Sequence, residues 1–137
     1  MANEAVIVEL LGRNNAGDVV QYNVADALAV PKGTLLQLTD NRTVIISAAD
    51  KPCAGIAATE KVANDGQLTI GAYTNGIFDI LDSGAGTAVG VNVVLGGINT
   101  VKTAAAIADT GLILGKRFAT AGAAATEEVR VLIGKHY

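Results

Sequence analysis

Short apolar runs rich in Val, Ile, Leu and Thr recur along the whole 137-residue chain, and turn-forming residues break nearly every one of them before it reaches helical length. Such runs have the length and β-branched composition of strands. They predict strands near Ala5 to Leu11, Val19 to Val24, Leu35 to Thr39, Thr43 to Ala48, Cys53 to Glu60 and Gln67 to Tyr73. Further strands are predicted near Ile77 to Leu81, Val89 to Leu95, Thr100 to Lys102, Leu112 to Ala119 and Glu128 to Ile133. The breaks between them are chemically specific. Asp40-Asn41 leaves room only for a tight hairpin, while Asp65-Gly66, Asn75-Gly76 and Gly96-Gly97 supply the positive φ angles that tight turns need. The pattern is that of an all-β chain, a small β-barrel or β-sandwich.

Two segments read as short helical linkers, Val24 to Ala29 and Thr103 to Ala108; each is too short to be a stable helix alone. Ala119 to Thr126, rich in Ala and Gly and without periodicity, reads as a loop. A weak internal repeat runs through the chain. Gly33 precedes Leu35-Leu36-Gln37-Leu38, a turn and Val44, as Gly90 precedes Val91-Asn92-Val93-Val94-Leu95, a turn and Val101. Each half then reaches a second glycine, Gly55 or Gly115, with three more residues intervening in the second half. If the repeat is structural, two similar β units close one barrel.

Composition narrows the function. Without Trp and with five aromatic residues (Tyr22, Tyr73, Phe78, Phe118 and Tyr137), the core must be aliphatic and small, which suits closely spaced sheets. A chain of this length can still bury roughly two thirds of its unfolded surface. The charged fraction is 17% and the net charge −3, too weak and of the wrong sign to attract nucleic acid. A single cysteine, Cys53, excludes an intrachain disulfide framework and offers no paired metal ligand. The opening Met1-Ala2-Asn3-Glu4 lacks the basic cluster of a signal peptide, so folding in a cytoplasm is expected. Ser83 to Val101 carries no formal charge over 19 residues, but its glycines, asparagines and alternating pattern belong to strands, and no membrane span is expected.

The residues that ordinarily carry catalysis are sparse. His136 stands next to the chain's last residue, and Cys53 lies in the apolar stretch Pro52-Cys53-Ala54-Gly55-Ile56-Ala57, the setting of a buried structural thiol. Asp79 and Asp82 lack the ligand spacing of a calcium loop and read as solvated carboxylates at a strand end. Gly84-Ala85-Gly86-Thr87-Ala88-Val89-Gly90 has an extra residue before its last glycine, no following lysine and no helix to bind phosphate. No cofactor or metal is expected, and the chain reads as one that binds and does not catalyse.

The N-terminal stretch Ala5-Val6-Ile7-Val8-Glu9-Leu10-Leu11 is apolar on both faces of a notional strand except at Glu9, and a loop-forming run, Gly12 to Gly17, follows it. A strand that is apolar on both faces needs cover on both. Residues 1–17 therefore read as an arm, or as a first strand with its loop, ahead of a single β domain over 18–137. As an arm it would add to a sheet edge of a partner or a neighbouring copy, with Val6, Val8 and Leu10 as candidate contacts.

The order of elements resembles the decoration, or cement, proteins of tailed-bacteriophage heads. The likeness is carried by Pro31-Lys32-Gly33-Thr34-Leu35-Leu36, Ala54-Gly55-Ile56-Ala57-Ala58, and Asp65-Gly66 through Thr74-Asn75-Gly76-Ile77-Phe78. Val89-Gly90-Val91, Ile113-Leu114-Gly115-Lys116 and Val129-Arg130-Val131-Leu132-Ile133 continue it, so it covers about Asn15 to Ile133. The resemblance implies a β-barrel or β-sandwich subunit, a homotrimer on the capsid surface of a virion, with the major capsid protein as partner. The low aromatic content departs from what large interface anchors require. Two other classes stay open: a fibre, tail or surface β module binding a receptor or carbohydrate through the loop at Tyr73, and a small all-β enzyme such as a trimeric nucleotide hydrolase.

Overall fold

The computed structural model describes residues 3–12, 17–83, 89–104, 112–120 and 128–133. The chain is all-β. Its strands are β1 (Val6–Glu9), β2 (Val19–Asn23), β3 (Leu35–Asp40), β4 (Thr43–Ile46), β5 (Cys53–Ala57) and β6 (Thr69–Tyr73). They continue as β7 (Gly76–Asp82), β8 (Asn92–Gly97), β9 (Thr100–Thr103), β10 (Gly115–Thr120) and β11 (Glu128–Ile133). Every strand expected from the apolar runs is present, with ends that differ by a few residues.

The strands form two small five-stranded barrels. The first runs β2-β4-β3-β5-β6 and closes on itself. In the second, the order β7-β11-β10-β8-β9 closes through a parallel β7–β9 pairing, and β1 attaches outside the ring to β7. The internal repeat is therefore structural, but each unit closes its own barrel where one shared barrel had been expected. Strand order and direction are the same in both. Each has one parallel pair, β2–β4 or β7–β9, and four antiparallel ones.

Local detail repeats as well. The β3–β4 hairpin pairs Asp40 with Thr43 after a register shift, and the β8–β9 hairpin pairs Gly97 with Thr100 after another. The second turn residue has positive φ in each, 48° at Arg42 and 54° at Asn99. Gly33 and Gly90, each two residues ahead of the hairpin's first strand, have φ of 89° and 85°. The turn of the second hairpin is thus Ile98-Asn99; Gly96-Gly97, expected to be the turn, belongs to the bulged end of β8. Asn75-Gly76 joins β6 to β7, and so links one barrel to the next.

Burial explains why the barrels stay together. Val24, Val30, Leu36, Val44, Ile70 and three alanines fill the first barrel, a narrow interior that only small side chains fit. Phe78, Ile80, Val93, Leu95, Val101 and Val131 fill the second, and Leu35 and Ile56 from the first join that cluster. Leu35 and Leu36 are adjacent and both fully buried, as are Ile56 and Ala57. Successive side chains of a strand point to opposite faces, so β3 and β5 are covered on both: one face is their own barrel, the other its neighbour.

A polar joint completes the contact. The Leu35 amide donates to Asn99 Oδ1 at 2.9 Å, and the Asn99 amide donates to Ser47 Oγ at 3.0 Å. The Ser47 hydroxyl donates to the Gly97 carbonyl at 2.9 Å. Asn99 and Ser47 are both buried. At its rim the Asp50 amide donates to the Leu95 carbonyl, and Lys102 pairs with Asp50 at 2.8 Å.

The first helical linker is not formed. Between β2 and Val30 the chain makes one turn, with the Leu28 amide donating to the Ala25 carbonyl. The Asp26 carbonyl, which a helix would use internally, instead accepts from the Asn64 amide and from Lys61 Nζ at 2.7 Å. Of the second linker, Thr103 ends β9 and 105–108 lie outside the described residues. Ala119 and Thr120 belong to β10, and the rest of the expected loop, 121–126, also lies outside them. No described helix is long and apolar enough to cross a membrane.

Gly55 is the most constrained turnless glycine. Its φ is 146°, and a Cβ there would lie 2.5 Å from the Tyr73 carbonyl oxygen. Gly55→Val should therefore lose about 2–4 kcal/mol of folding stability. Gly66→Ala, with open space around it, should lose only about 1 kcal/mol. Urea titration of both checks this; a Gly55→Val midpoint equal to the parent's would contradict the geometry.

Candidate contact surface

The N-terminal arm is built into both barrels. The Ala5 amide donates to the Gly33 carbonyl at 2.8 Å on the first barrel, and β1 pairs antiparallel with β7 on the second. Two glycines make room for it. A Cβ on Gly33 would meet the Ala5 carbonyl oxygen at 2.7 Å, and one on Gly76 would come within 3.2 Å of the Glu9 carbonyl oxygen. Ala5 is buried in the cluster that fills the second barrel, and Leu10 packs against it.

The three expected contact residues do not share one face. Val6 is 54% exposed and Val8 40%, whereas Leu10 is half-buried. The cause is a register shift: Ile7 pairs with Phe78 and Glu9 with Ile77, so one residue of the arm bulges. A bulge breaks the alternation by which Val6, Val8 and Leu10 would have pointed together. Ile7, which sequence reasoning left out, is exposed beside Val6 and Val8, so three consecutive aliphatic side chains meet solvent. Only the bulge reveals it, and no residue type in the arm signals a bulge.

Beside the arm an open groove of about 390 Å³ is lined by Val6, Ile7, Lys32, Gly33, Ala57 and Tyr73. A smaller cleft of about 200 Å³ lies between the barrels, with Cys53, Gly55, Thr74, Leu114 and Ile133 among its walls. Tyr73 is not a loop-tip aromatic: it ends β6, packs against the core, and its ring lies 6.0 Å from that of Phe78. The Cys53 residue is only partly covered, yet its thiol is desolvated, which pushes it up to about 12 against a weaker downward pull from the Gly55 backbone. Near neutral pH it is a protonated, unreactive thiol.

The two aspartates singled out in β7 are not solvated strand-end carboxylates. Asp79 pairs with Arg130 at 3.0 Å, and this ion pair raises the Arg130 guanidinium further. Asp82 is buried with Arg117 beneath the β7–β9 seam, where Arg117 also donates to Thr103 Oγ1 at 3.2 Å. Among the described residues no cluster of His, Cys, Asp and Glu could hold a metal ion. His136 lies outside the described residues.

The double barrel has a structural precedent. The chain is similar to the N base of the head fibre gp8.5 of bacteriophage phi29, with a TM-score of 0.53 and 14% sequence identity. The likeness covers 85% of this chain and 93% of that one, so it spans both barrels. At this identity it concerns the fold. No protein-family model and no curated protein matches the sequence.

Cys53 makes the fold sensitive to alkali. Its thiol ionises near 9.0 when unfolded and near 12 when folded, so between those values the unfolded state alone loses the proton. The contribution of Cys53 to stability is fully present below pH 9 and falls as pH rises towards 12. Tyr22, raised above 10.0 chiefly by desolvation, adds to the loss. Urea midpoints at about pH 8 and about pH 10.5 should differ less in Cys53→Ala than in the parent; an equal drop in both would contradict it.

Proposed function

We propose that this chain is a non-catalytic structural protein of a bacteriophage head, bound to the outer surface of the capsid and stabilising the shell as a decoration protein. The observation that carries the reading is the fold: a tandem of two like barrels, similar over most of its length to the base of a phage head fibre. The resemblance of the sequence to decoration proteins points the same way. In this reading residues 18–137 act as one unit, the arm over 1–17 is its contact element, and the subunit sits as a homotrimer against the major capsid protein. Val6 and Val8, with Ile7, supply the apolar contact; Leu10 anchors the arm from inside. Small aliphatic anchors bury little area each, so affinity comes from several sites acting together.

The phi29 protein is the base of a head fibre, and that favours a second reading in which the chain is a capsid-bound fibre base. A receptor-binding role for the loop at Thr74-Asn75-Gly76 is less favoured, because Tyr73 is packed inward.

The test uses expanded capsids with and without the protein. Bound subunits stabilise the shell by mass action, so particles lacking them should release DNA at lower temperature. Val6→Asp/Val8→Asp should keep the fold and lose at least about tenfold in capsid affinity, about 1.4 kcal/mol. Leu10→Ala should lower stability first. Equal DNA retention with and without the protein would contradict the stabilising role.

A further inference from the structure

The repeat leaves one position filled in the second barrel and open in the first. β7 pairs with β11 along one side; on the other, Leu81 and Asp82 pair with β9, and Ile77 to Asp79 receive β1. β2 plays the same part in the first barrel. It pairs with β6 along one side and with β4 only through Asn23 and Thr43. Among the described residues no strand lies on that side of Val19 to Tyr22. Asn23 pairs with Thr43 as Leu81 pairs with Thr100, so Val19, Val20 and Gln21 of β2 stand where Ile77, Phe78 and Asp79 stand in β7.

The backbone of β2 is turned towards this opening. The Asn23 amide donates to the Arg42 carbonyl at 2.5 Å, and Arg42 Nη2 donates to the Gln21 carbonyl at 2.7 Å. The amide and carbonyl of a strand residue point to the same side and alternate along the strand, so the Gln21 amide and both groups of Val19 also face out. Val19 is 45% exposed. Arg42 covers the far end of this edge, a common guard against unwanted pairing, and leaves the near end open. Among the described residues β1 pairs only with β7, on one side, which leaves its other edge open, and Val6, Ile7 and Val8 are exposed.

We propose that the open edge of β1 in one copy pairs with the β2 edge, Val19 to Gln21, of a second copy of this chain. The first barrel would then carry an added strand where the second already does. Because the two edges are different surfaces, the contact is heterologous, and repeated head to tail it closes a ring where each copy is turned by a third of a full rotation from the last, the arrangement proposed for this chain. The inference rests on the proposed capsid role only for the number of copies, three. Each contact is short and weak alone, and ring closure makes the three cooperative.

Val8→Cys and Val19→Cys, singly and together in a Cys53→Ala background, test this with a short bismaleimide at micromolar to millimolar protein in solution. Both positions are exposed, so the variants should melt like the parent. The double variant should give covalent dimers and trimers with no longer ladder. Each single variant should stay monomeric, and an equal mixture of the two should stop at dimers. A double variant that stays monomeric, dimers from Val19→Cys alone, or chains beyond three would overturn the proposal. Capsid binding of the unsubstituted protein separates the two readings: binding by a protein whose double variant gives no cross-links removes the ring and keeps the capsid role, and cross-linked trimers from a protein that binds no capsid do the reverse.

Discussion

The two barrels are held in one arrangement by a buried asparagine. Asn99 occupies the left-handed turn of the β8–β9 hairpin, a conformation Asn adopts at little cost, and this aims its side chain out of its own barrel. There its carbonyl accepts from the first amide of β3, and its backbone donates to Ser47. An unpaired buried donor costs roughly 1–3 kcal/mol, so sliding one barrel on the other would leave several groups unsatisfied at once. Apolar contact between Leu35, Ile56 and the second barrel supplies attraction without direction; the polar joint supplies the direction.

The two halves have diverged most informatively at this position. The counterpart of Asn99 is Arg42, with nearly the same backbone angle and a different task. Its guanidinium bends back to the Gln21 carbonyl and guards the edge of its own barrel. One turn became a joint and the other an edge cap. The second barrel needs no such cap, because the arm covers the matching edge. Its seam is secured instead by the buried Arg117–Asp82 pair, in a place where removing one partner would cost about 3–5 kcal/mol.

Much of this was legible in the sequence. Strands follow from β-branched runs between turn residues, and the paired glycines Gly33 and Gly90 announced the repeat. Closure into two barrels was not legible, because it depends on pairings between residues far apart, such as Asn23 with Thr43 and Leu81 with Thr100. Nor was the double burial of Leu35-Leu36, since adjacent leucines look alike in any apolar run. Val24 to Ala29 misled because its spacing suits one turn of chain as well as a helix; Lys61, reaching from a distant loop, decides between them. At the candidate surface, the apolar pattern picks out Val6 and Val8, while the exposure of Ile7 and the inward turn of Leu10 depend on a bulge.

The central claim is that the joint at Asn99 makes the two barrels one rigid unit. Native-state hydrogen exchange tests it most directly, amide by amide. The Leu35 and Asn99 amides should exchange as slowly as those of Val44 and Val101 in the two barrel interiors, all by the same global unfolding. In Asn99→Ala, the Leu35 amide should become fast while each interior stays protected. Rapid exchange of Leu35 and Asn99 in the parent protein, with the two interiors opening at different free energies, would contradict it.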